Sequence, residues 1–365
     1  MGILSHSSCP MGANPMTTRG LKNGVNARTE KLGSTKGLTA MSFRTMPKPP
    51  IPDFSYLERH ISRYRQLVCQ GEDEINLRLR QGGMQRVGFS ELVGQYSWIW
   101  FDAYGVLNRG TEPIPGAADT LERLRRAGIP FRLVSNNASN SPQELQNNLA
   151  KMGIYLHREE IVTSGMVVAD FVQENRLGEQ PYLWVGDLVS AHNYAPQPHR
   201  WMVNHPQSRW EKDAACYALF SGNQEYYGGA QEAILRASGE RRGVPLLLVN
   251  ADLVAPEAQG SLNLVSGFTA CEAHGDGRFP LMGIGKPFRP VFETAWRSCG
   301  CPSWDRVLMV GDALETDILG GACLGTATCL TLTGLYGPME AELENIGDRL
   351  GIRPDYLVQS IAWDG

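Results

Sequence analysis

Residues 98–153 alternate between short apolar runs and amphipathic segments, and this alternation restricts the fold more than any other feature. The apolar runs are Trp98–Phe101 and residues 130–134. After the first run, Ala117, Leu121 and Leu124 recur at helical spacing until Gly128. The order strand, helix, strand, helix is typical of a parallel sheet with right-handed crossovers. The pattern therefore predicts an α/β fold built on a parallel sheet.

The second helix of this unit has a clear start signal. Ser141 suits the N-cap, Pro142 suits the first helical position, and Glu144 completes a capping box. Leu145 and Leu149 then give the segment one apolar face. The signals predict a helix that begins at residue 142 and packs on the sheet.

A similar pattern returns near the other end of the chain. Residues 306–310 form an apolar run that ends in Gly311-Asp312, a helix is expected over about 315–324, and another strand over 327–332. The intervening segment, residues 180–275, has strand-like runs of its own. We therefore predict a core of residues 91–179 and 276–365, with residues 180–275 inserted as a separate α/β domain.

The first 90 residues differ from the rest of the 365-residue chain. Residues 1–50 hold seven basic residues and a single acid, Glu30, without sustained periodicity. We expect residues 1–54 to be a disordered tail, with an organellar transit peptide as the alternative. Residues 55–90 are charged with scattered apolar positions, which predicts a helical N-terminal extension outside the main domain.

Bulk composition excludes several classes of protein. A net charge of −4 argues against nucleic acid as a partner, and no apolar run reaches the length of a membrane span. The eight cysteines are too scattered for a disulfide framework, so reduced thiols and a cytoplasmic location are expected.

Polar residues that are suited to catalysis or metal binding follow the predicted strands. They are Asp102, Ser135-Asn136, Lys286, and the segment from Gly311-Asp312 to Asp317. Each has an ordinary explanation alone, as a turn cap or as a solvated lysine. Together they suit phosphoryl transfer, because strand-end carboxylates can hold Mg²⁺ while a hydroxyl, N–H groups and an ammonium bind phosphoryl oxygens.

These residues resemble the four motifs of the haloacid dehalogenase (HAD) superfamily, and most of all its class IIA branch of NagD-like and p-nitrophenyl-phosphatase-like hydrolases. The resemblance covers about residues 90–365 and includes Asn250-Ala251-Asp252, which is similar to an Asn-Pro-Asp of the branch. It implies a Rossmann-like parallel sheet with helices on both faces, and it implies that the inserted domain is a C2-type cap.

The resemblance also implies roles for single residues. Asp102 would be the nucleophile, with Lys286 and Ser135 completing the catalytic set. The substrate phosphate would be bound by Tyr104, Gly105, Ser135, Asn136, Asn137 and Lys286. The Mg²⁺ ligands would be Asp102, Tyr104 through its carbonyl, Asp312 and Asp317.

Tyr104 departs from the family pattern, which usually has a second Asp two residues after the nucleophile. That Asp protonates the leaving group, and general acid–base help is worth about 10² to 10⁴ in rate. Tyrosine is a poor base because its phenol has an ordinary pKa of about 10. A small group of class IIA proteins is similar in having an aromatic residue here.

Three interpretations of Tyr104 stay open at this point. The substrate's leaving group needs little protonation, another group such as Asp252 moves the proton, or the protein is weak or inactive and binds a phosphorylated ligand in a regulatory role. The resemblance implies a Mg²⁺-dependent phosphohydrolase of small phosphorylated metabolites with restricted activity. A homodimer through the cap is a further expectation.

Overall fold

The computed structural model describes residues 54–69, 79, 81, 83–196, 201–203, 215–221, 234, 243–256, 262–275 and 277–363. The predicted tail over 1–54 lies outside these residues except for Phe54. Much of the predicted insertion, including residues 222–233 and 235–242, also lies outside them.

Within the described residues, the strands are short and follow the predicted alternation. In chain order, β1 to β16 are Gln85–Arg86, Trp98–Phe101, Asn108–Arg109, Glu112–Pro113, Phe131–Ser135, Ile161–Thr163, Tyr182–Val185, Trp201–Val203, Tyr217–Phe220, Leu246–Leu248, Val254–Pro256, Leu262–Leu264, Leu281–Gly283, Val307–Gly311, Ala327–Thr331 and Tyr356–Val358.

The described α-helices alternate with these strands. They are Phe54–Val68, Phe89–Leu92, Ala117–Arg126, Pro142–Lys151, Ser164–Glu174, Leu188–Tyr194, Ser266–His274, Arg289–Ser298, Leu319–Leu324 and Leu343–Leu350. None of the described helices is long and apolar enough to span a membrane.

Two parallel sheets organise the described chain. The first has seven strands in the order β1-β16-β15-β14-β2-β5-β6, and the second has five in the order β13-β10-β9-β7-β8. Every pairing within both sheets is parallel. The first sheet belongs to the predicted core, and the second lies mostly within the predicted insertion.

Both faces of the first sheet are buried, and β2 illustrates why. Ile99 and Phe101 pack in one apolar cluster, which includes Leu121 and Leu145 from the helices on that face. Trp100 points the other way, into a second cluster with Phe292. An apolar run without polar alternation is what a strand covered on both faces requires. This arrangement confirms the predicted α/β fold class.

The start of the helix Pro142–Lys151 follows the sequence signals. The Ser141 side chain accepts from the Glu144 N–H, and the Ser141 N–H donates to Glu144 Oε2 at 2.7 Å. The helix ends at Lys151, with Met152 as its C-cap, followed by Gly153 with φ of +78°. Capping of this kind is local, which is why the sequence predicts it well.

Strand pairing crosses two of the predicted boundaries. The extension over 55–90 is not purely helical, because Gln85–Arg86 pairs with β16 at the edge of the seven-stranded sheet. The second sheet also continues past residue 275, since Leu281–Gly283 pairs with β10. Both segments are too short to show a period of their own, so only pairing with a distant strand reveals them.

Candidate active site

The strand order brings three predicted site segments to one edge of the seven-stranded sheet. Asp102 follows β2, Ser135 ends β5, and Asp312 follows β14. Strand β2 lies between the other two, with Phe101 opposite Val310 on one side and Leu133 on the other. The carboxyl ends of parallel strands form the usual ligand edge of such sheets.

Lys286 lies between two of the predicted carboxylates. Its Nζ is 2.6 Å from Asp102 Oδ1 and 2.7 Å from Asp317 Oδ1. The lysine side chain is 1% exposed. Burial alone would lower the pKa of Lys286, but Asp102, Asp317 and Asp252 outweigh burial and raise it. The ammonium is therefore charged in the folded protein.

The carboxylates of Asp102, Asp312 and Asp317 lie close to one another at this site. Oxygens of Asp102, Asp312 and Asp317 all lie within 4.8 Å of one another. Burial, and then the charges of Asp102 and Asp317, raise the pKa of Asp312 well above its ordinary value. Burial raises the pKa of Asp317 to about 6 against the opposing charge of Lys286. When they are all ionised, the three carboxylates exceed the ammonium by two negative charges. Oxygen donors with that excess fit a hard divalent cation such as Mg²⁺.

Asp317 also organises the loop that carries Asp312. Its Oδ2 accepts from the backbone N–H groups of Asp312 and Ala313, each at 3.2 Å. The segment Leu314–Ile318 is a single π-helical turn, followed by the α-helix Leu319–Leu324, rather than the continuous helix expected over 315–324. Such π-turns are rare and concentrate at functional sites.

Two glycines make room for the Asp312 side chain. The backbone N–H of Leu335 donates to Asp312 Oδ2 at 2.8 Å. A Cβ added to Gly105 or to Gly334 would lie 2.0 Å from the same oxygen. Gly105 also has φ of +74°, a conformation that favours glycine. The Asp312 carboxylate is thus enclosed by backbone from two loops.

Asn136 connects the core to the segment around Asp252. Its Nδ2 donates to Asp252 Oδ1 at 2.7 Å and to the Lys286 carbonyl at 2.9 Å, and its Oδ1 accepts from the Lys286 N–H at 2.6 Å. Burial raises the pKa of Asp252 to about 8, with Lys286 opposing and Asp102 adding to the shift. Asp252 is therefore within reach of the same site.

The chain matches two family models. Residues 99–192 match "Haloacid dehalogenase-like hydrolase", and residues 283–363 match the HAD-hydrolase-like model. Chronophin from Bos taurus is 31% identical over 281 residues, which cover 74% of this chain and 93% of chronophin. The chain belongs to the haloacid dehalogenase-like hydrolase family.

Solved structures agree with this membership at the level of the fold. A HAD-superfamily structure described as a possible sugar phosphatase, from Cytophaga hutchinsonii, has a TM-score of 0.64 at 24% identity, covering 78% of this chain and all of that one. NagD from E. coli has a TM-score of 0.55 at 23% identity, covering 74% and 99%. Membership in the HAD superfamily and the expected class of enzyme, a HAD-like phosphatase, are confirmed.

Within this HAD fold, the remaining predicted site residues take different positions. Ser135 is buried, and its Oγ accepts from the Asn137 N–H at 3.2 Å. The Gly105 carbonyl accepts from the Thr333 hydroxyl at 2.6 Å. Tyr104 packs against the apolar cluster of Leu145 and lines a cavity of about 520 Å³ beside the helix Pro142–Lys151. The Tyr104 side chain thus faces a groove flanked by that helix.

Sequence reasoning missed several contributors to the site. It assigned only the N–H of Asn136 to the phosphate, whereas the Asn136 amide joins Lys286 to Asp252. It also missed Glu315, a buried carboxyl that accepts from the Tyr336 hydroxyl at 2.8 Å and whose pKa burial raises to about 7. The Thr333-Gly334 pair, which begins two residues after β15, is the one local signal that points to this part of the site.

Proposed function

We propose that this chain is a Mg²⁺-dependent phosphohydrolase that acts on a small phosphorylated metabolite through an aspartyl-phosphate at Asp102. The contact between Lys286 Nζ and Asp102 Oδ1 at 2.6 Å, beside the Asp312 and Asp317 carboxylates, carries the proposal. A carboxylate held against a buried ammonium and next to a cation site is equipped to attack phosphorus.

The chain's own residues supply most of the chemistry. Asp102 forms a bond to phosphorus while the bond to the leaving oxygen breaks, and water later cleaves the acyl phosphate to release inorganic phosphate. Lys286, the Ser135 hydroxyl and the N–H of Asn136 neutralise the phosphoryl oxygens. Asp102, Asp312 and the carbonyl of Tyr104 would hold Mg²⁺, with Asp317 in support. The bound cation supplies positive charge to those oxygens.

Proton transfer to the leaving group is where this site differs from its family. Tyr104 cannot act as a base near neutral pH. The Asp252 carboxyl, with a pKa raised to about 8, carries a proton at neutral pH and hydrogen-bonds to Asn136. We infer that Asp252 donates this proton, and that activity is restricted to substrates whose leaving groups need little help.

The decisive experiment measures phosphate release from acetyl phosphate, p-nitrophenyl phosphate, nucleotides and sugar phosphates. Wild type is compared with Asp102→Asn, each with Mg²⁺ and with EDTA. We expect release only from wild type with Mg²⁺, and fastest from the substrates with the best leaving groups. Equal release by Asp102→Asn would remove this residue from the chemistry.

The Tyr104 restriction has its own test. Tyr104→Asp should raise the rate for sugar phosphates by about 10² to 10⁴ while changing acetyl phosphate hydrolysis little. Tyr104→Phe is the matched control and should behave as wild type. No release from any substrate by wild type would favour the alternative, a HAD-fold protein that binds a phosphorylated ligand in a regulatory role.

Other expectations stay predictions. They are the division into a core and a C2-type cap, a homodimer through the cap, and a cytoplasmic location. Size-exclusion chromatography with light scattering would test the dimer directly.

A further inference from the structure

The helix Phe54–Val68 contacts the site although it lies outside both family-model matches. Its apolar residues Leu57, Ile61 and Tyr64 are buried in one cluster with Leu314 and Ile318 of the π-helical turn. The same cluster includes Ala251 and Leu253, on either side of Asp252. One helix therefore packs against two loops that carry site carboxylates.

Tyr64 of this helix makes two contacts close to the site residues. Its hydroxyl donates to the Ala251 carbonyl at 2.7 Å, and both residues are fully buried. Its ring packs edge-on against Phe288, with centroids 5.7 Å apart. Ala251 directly precedes Asp252, and Phe288 lies two residues after Lys286. Tyr64 therefore contacts the backbone next to Asp252 and a side chain close to Lys286.

These contacts belong to a continuous series that runs from Asp252 through Asn136 and Lys286 back to Tyr64. Asp252 accepts from Asn136, and Asn136 bonds both the N–H and the carbonyl of Lys286. Phe288 follows Lys286 by two residues, and its ring packs against that of Tyr64. A shift of the Ala251 carbonyl would therefore move Asp252 relative to the Asn136 amide.

The helix itself is fixed on both sides of Tyr64. The Arg63 guanidinium donates to the carbonyls of Cys271 and Gly275 at 2.9 and 2.7 Å. On the other side, Arg65 donates to the Leu350 carbonyl at 3.1 Å. Side chains on both flanks thus hold the helix against the segment that follows β12 and against the helix Leu343–Leu350.

We propose that Tyr64 is a positioning residue, which holds Asp252 and Lys286 in register across the phosphoryl-transfer site. The hydroxyl is essential to this role, since a phenylalanine ring would fill the same volume and leave the buried Ala251 carbonyl without its donor. Burial raises the pKa of Tyr64 well above its ordinary value, so the hydroxyl stays a donor at all working pH values. The inference rests on the proposed function.

Tyr64→Phe tests the role with the smallest change. We expect kcat to fall about tenfold for p-nitrophenyl phosphate, with KM changed less than about twofold, because a misplaced Asp252 affects the transition state more than substrate binding. Tyr96→Phe is the matched control, since Tyr96 OH pairs with Tyr356 OH at 3.0 Å at the opposite ends of the strands. It should leave both kinetic constants unchanged.

Amide hydrogen exchange gives a readout that does not need activity. Exchange in residues 250–254 should accelerate in Tyr64→Phe and not in Tyr96→Phe. If wild type releases no phosphate from any substrate, the proposed function fails, and exchange alone decides the role of Tyr64. Unchanged exchange, an unchanged kcat, or an equal loss of kcat in Tyr96→Phe would overturn the proposal.

Discussion

The acidic site and the interface of the helix Phe54–Val68 respond to protons in opposite ways. At the site, burial raises the pKa of Asp252 to about 8 and that of Asp317 to about 6. In the helix, burial lowers the pKa of His60 to about 4, although Glu272 opposes the shift. The site therefore needs protons or a cation to remain stable, whereas the helix interface needs a neutral imidazole. The acidic site is electrostatically costly because it buries several carboxylates together, whereas the adjacent helix buries His60 as a neutral imidazole.

Removal of the one buried ammonium at the site should have the largest effect on stability. Lys286→Met leaves three carboxylates without their counter-charge, which should cost about 3 to 5 kcal/mol of unfolding free energy in EDTA. Mg²⁺ should recover part of that loss. Urea denaturation with and without Mg²⁺ measures both. Lys151→Met, at an exposed helix end, is the control and should change little.

The pH response of His60 gives the next largest effect. Its pKa falls from an ordinary 6.5 to about 4 on folding, so the unfolded chain binds the extra proton. Stability from this group is complete above pH 6.5 and is lost as pH falls through 4, by up to about 3 kcal/mol. The free energy of unfolding, measured at a series of pH values, should change less with pH below 6.5 in His60→Gln than in wild type. The exposed His157→Gln should keep the wild-type slope. If His60→Gln had the same slope as His157→Gln, the role of His60 would be refuted.

Asp312 should show the opposite trend. Because its pKa is raised, its stabilisation is present below the ordinary carboxyl range and is lost as pH rises through the raised value. In EDTA at pH 8, Asp312→Asn should be more stable than wild type by about 1 to 2 kcal/mol and should lose phosphate release. Thermal unfolding should also lose its response to Mg²⁺. A variant that is less stable in EDTA would contradict this view of the site.

The smallest effect should come from the exposed edge of the helix. Arg349 Nη2 lies 2.6 Å from Glu58 Oε1, with the two side chains 43% and 26% exposed. Arg349→Gln should cost less than about 1 kcal/mol, and about 0.5 M salt should remove most of the difference. A larger, salt-independent loss would mean that the packing of the Arg349 guanidinium over the Phe54 ring dominates.

The sequence predicted the core better than the contacts that complete its site. The strand Trp98–Phe101 and the capped helix Pro142–Lys151 carry local patterns, and the structure has them where expected. The gathering of Asp102 and Asp312 also follows from strand-end positions in one parallel sheet, whereas Lys286 reaches Asp102 from the end of β13 in the other sheet.

Contacts without a local pattern were beyond the sequence. Tyr64 and Ala251 are 187 residues apart, and Asn136 and Asp252 are 116 apart. Neither hydrogen bond leaves a spacing or a composition that a single sequence could reveal. The π-helical turn Leu314–Ile318 was missed for a related reason, because its apolar residues fit an ordinary helix.

The enclosure of Asp312 by Gly105 and Gly334 limits how this scaffold can be redesigned. Any side chain at either position would overlap the carboxylate, so a library that varies the loop after β2 to widen substrate range would displace Asp312 through residue 105 alone. Diversity is better directed at the groove beside Tyr104, where Asn140 and Lys151 can change without touching the aspartates.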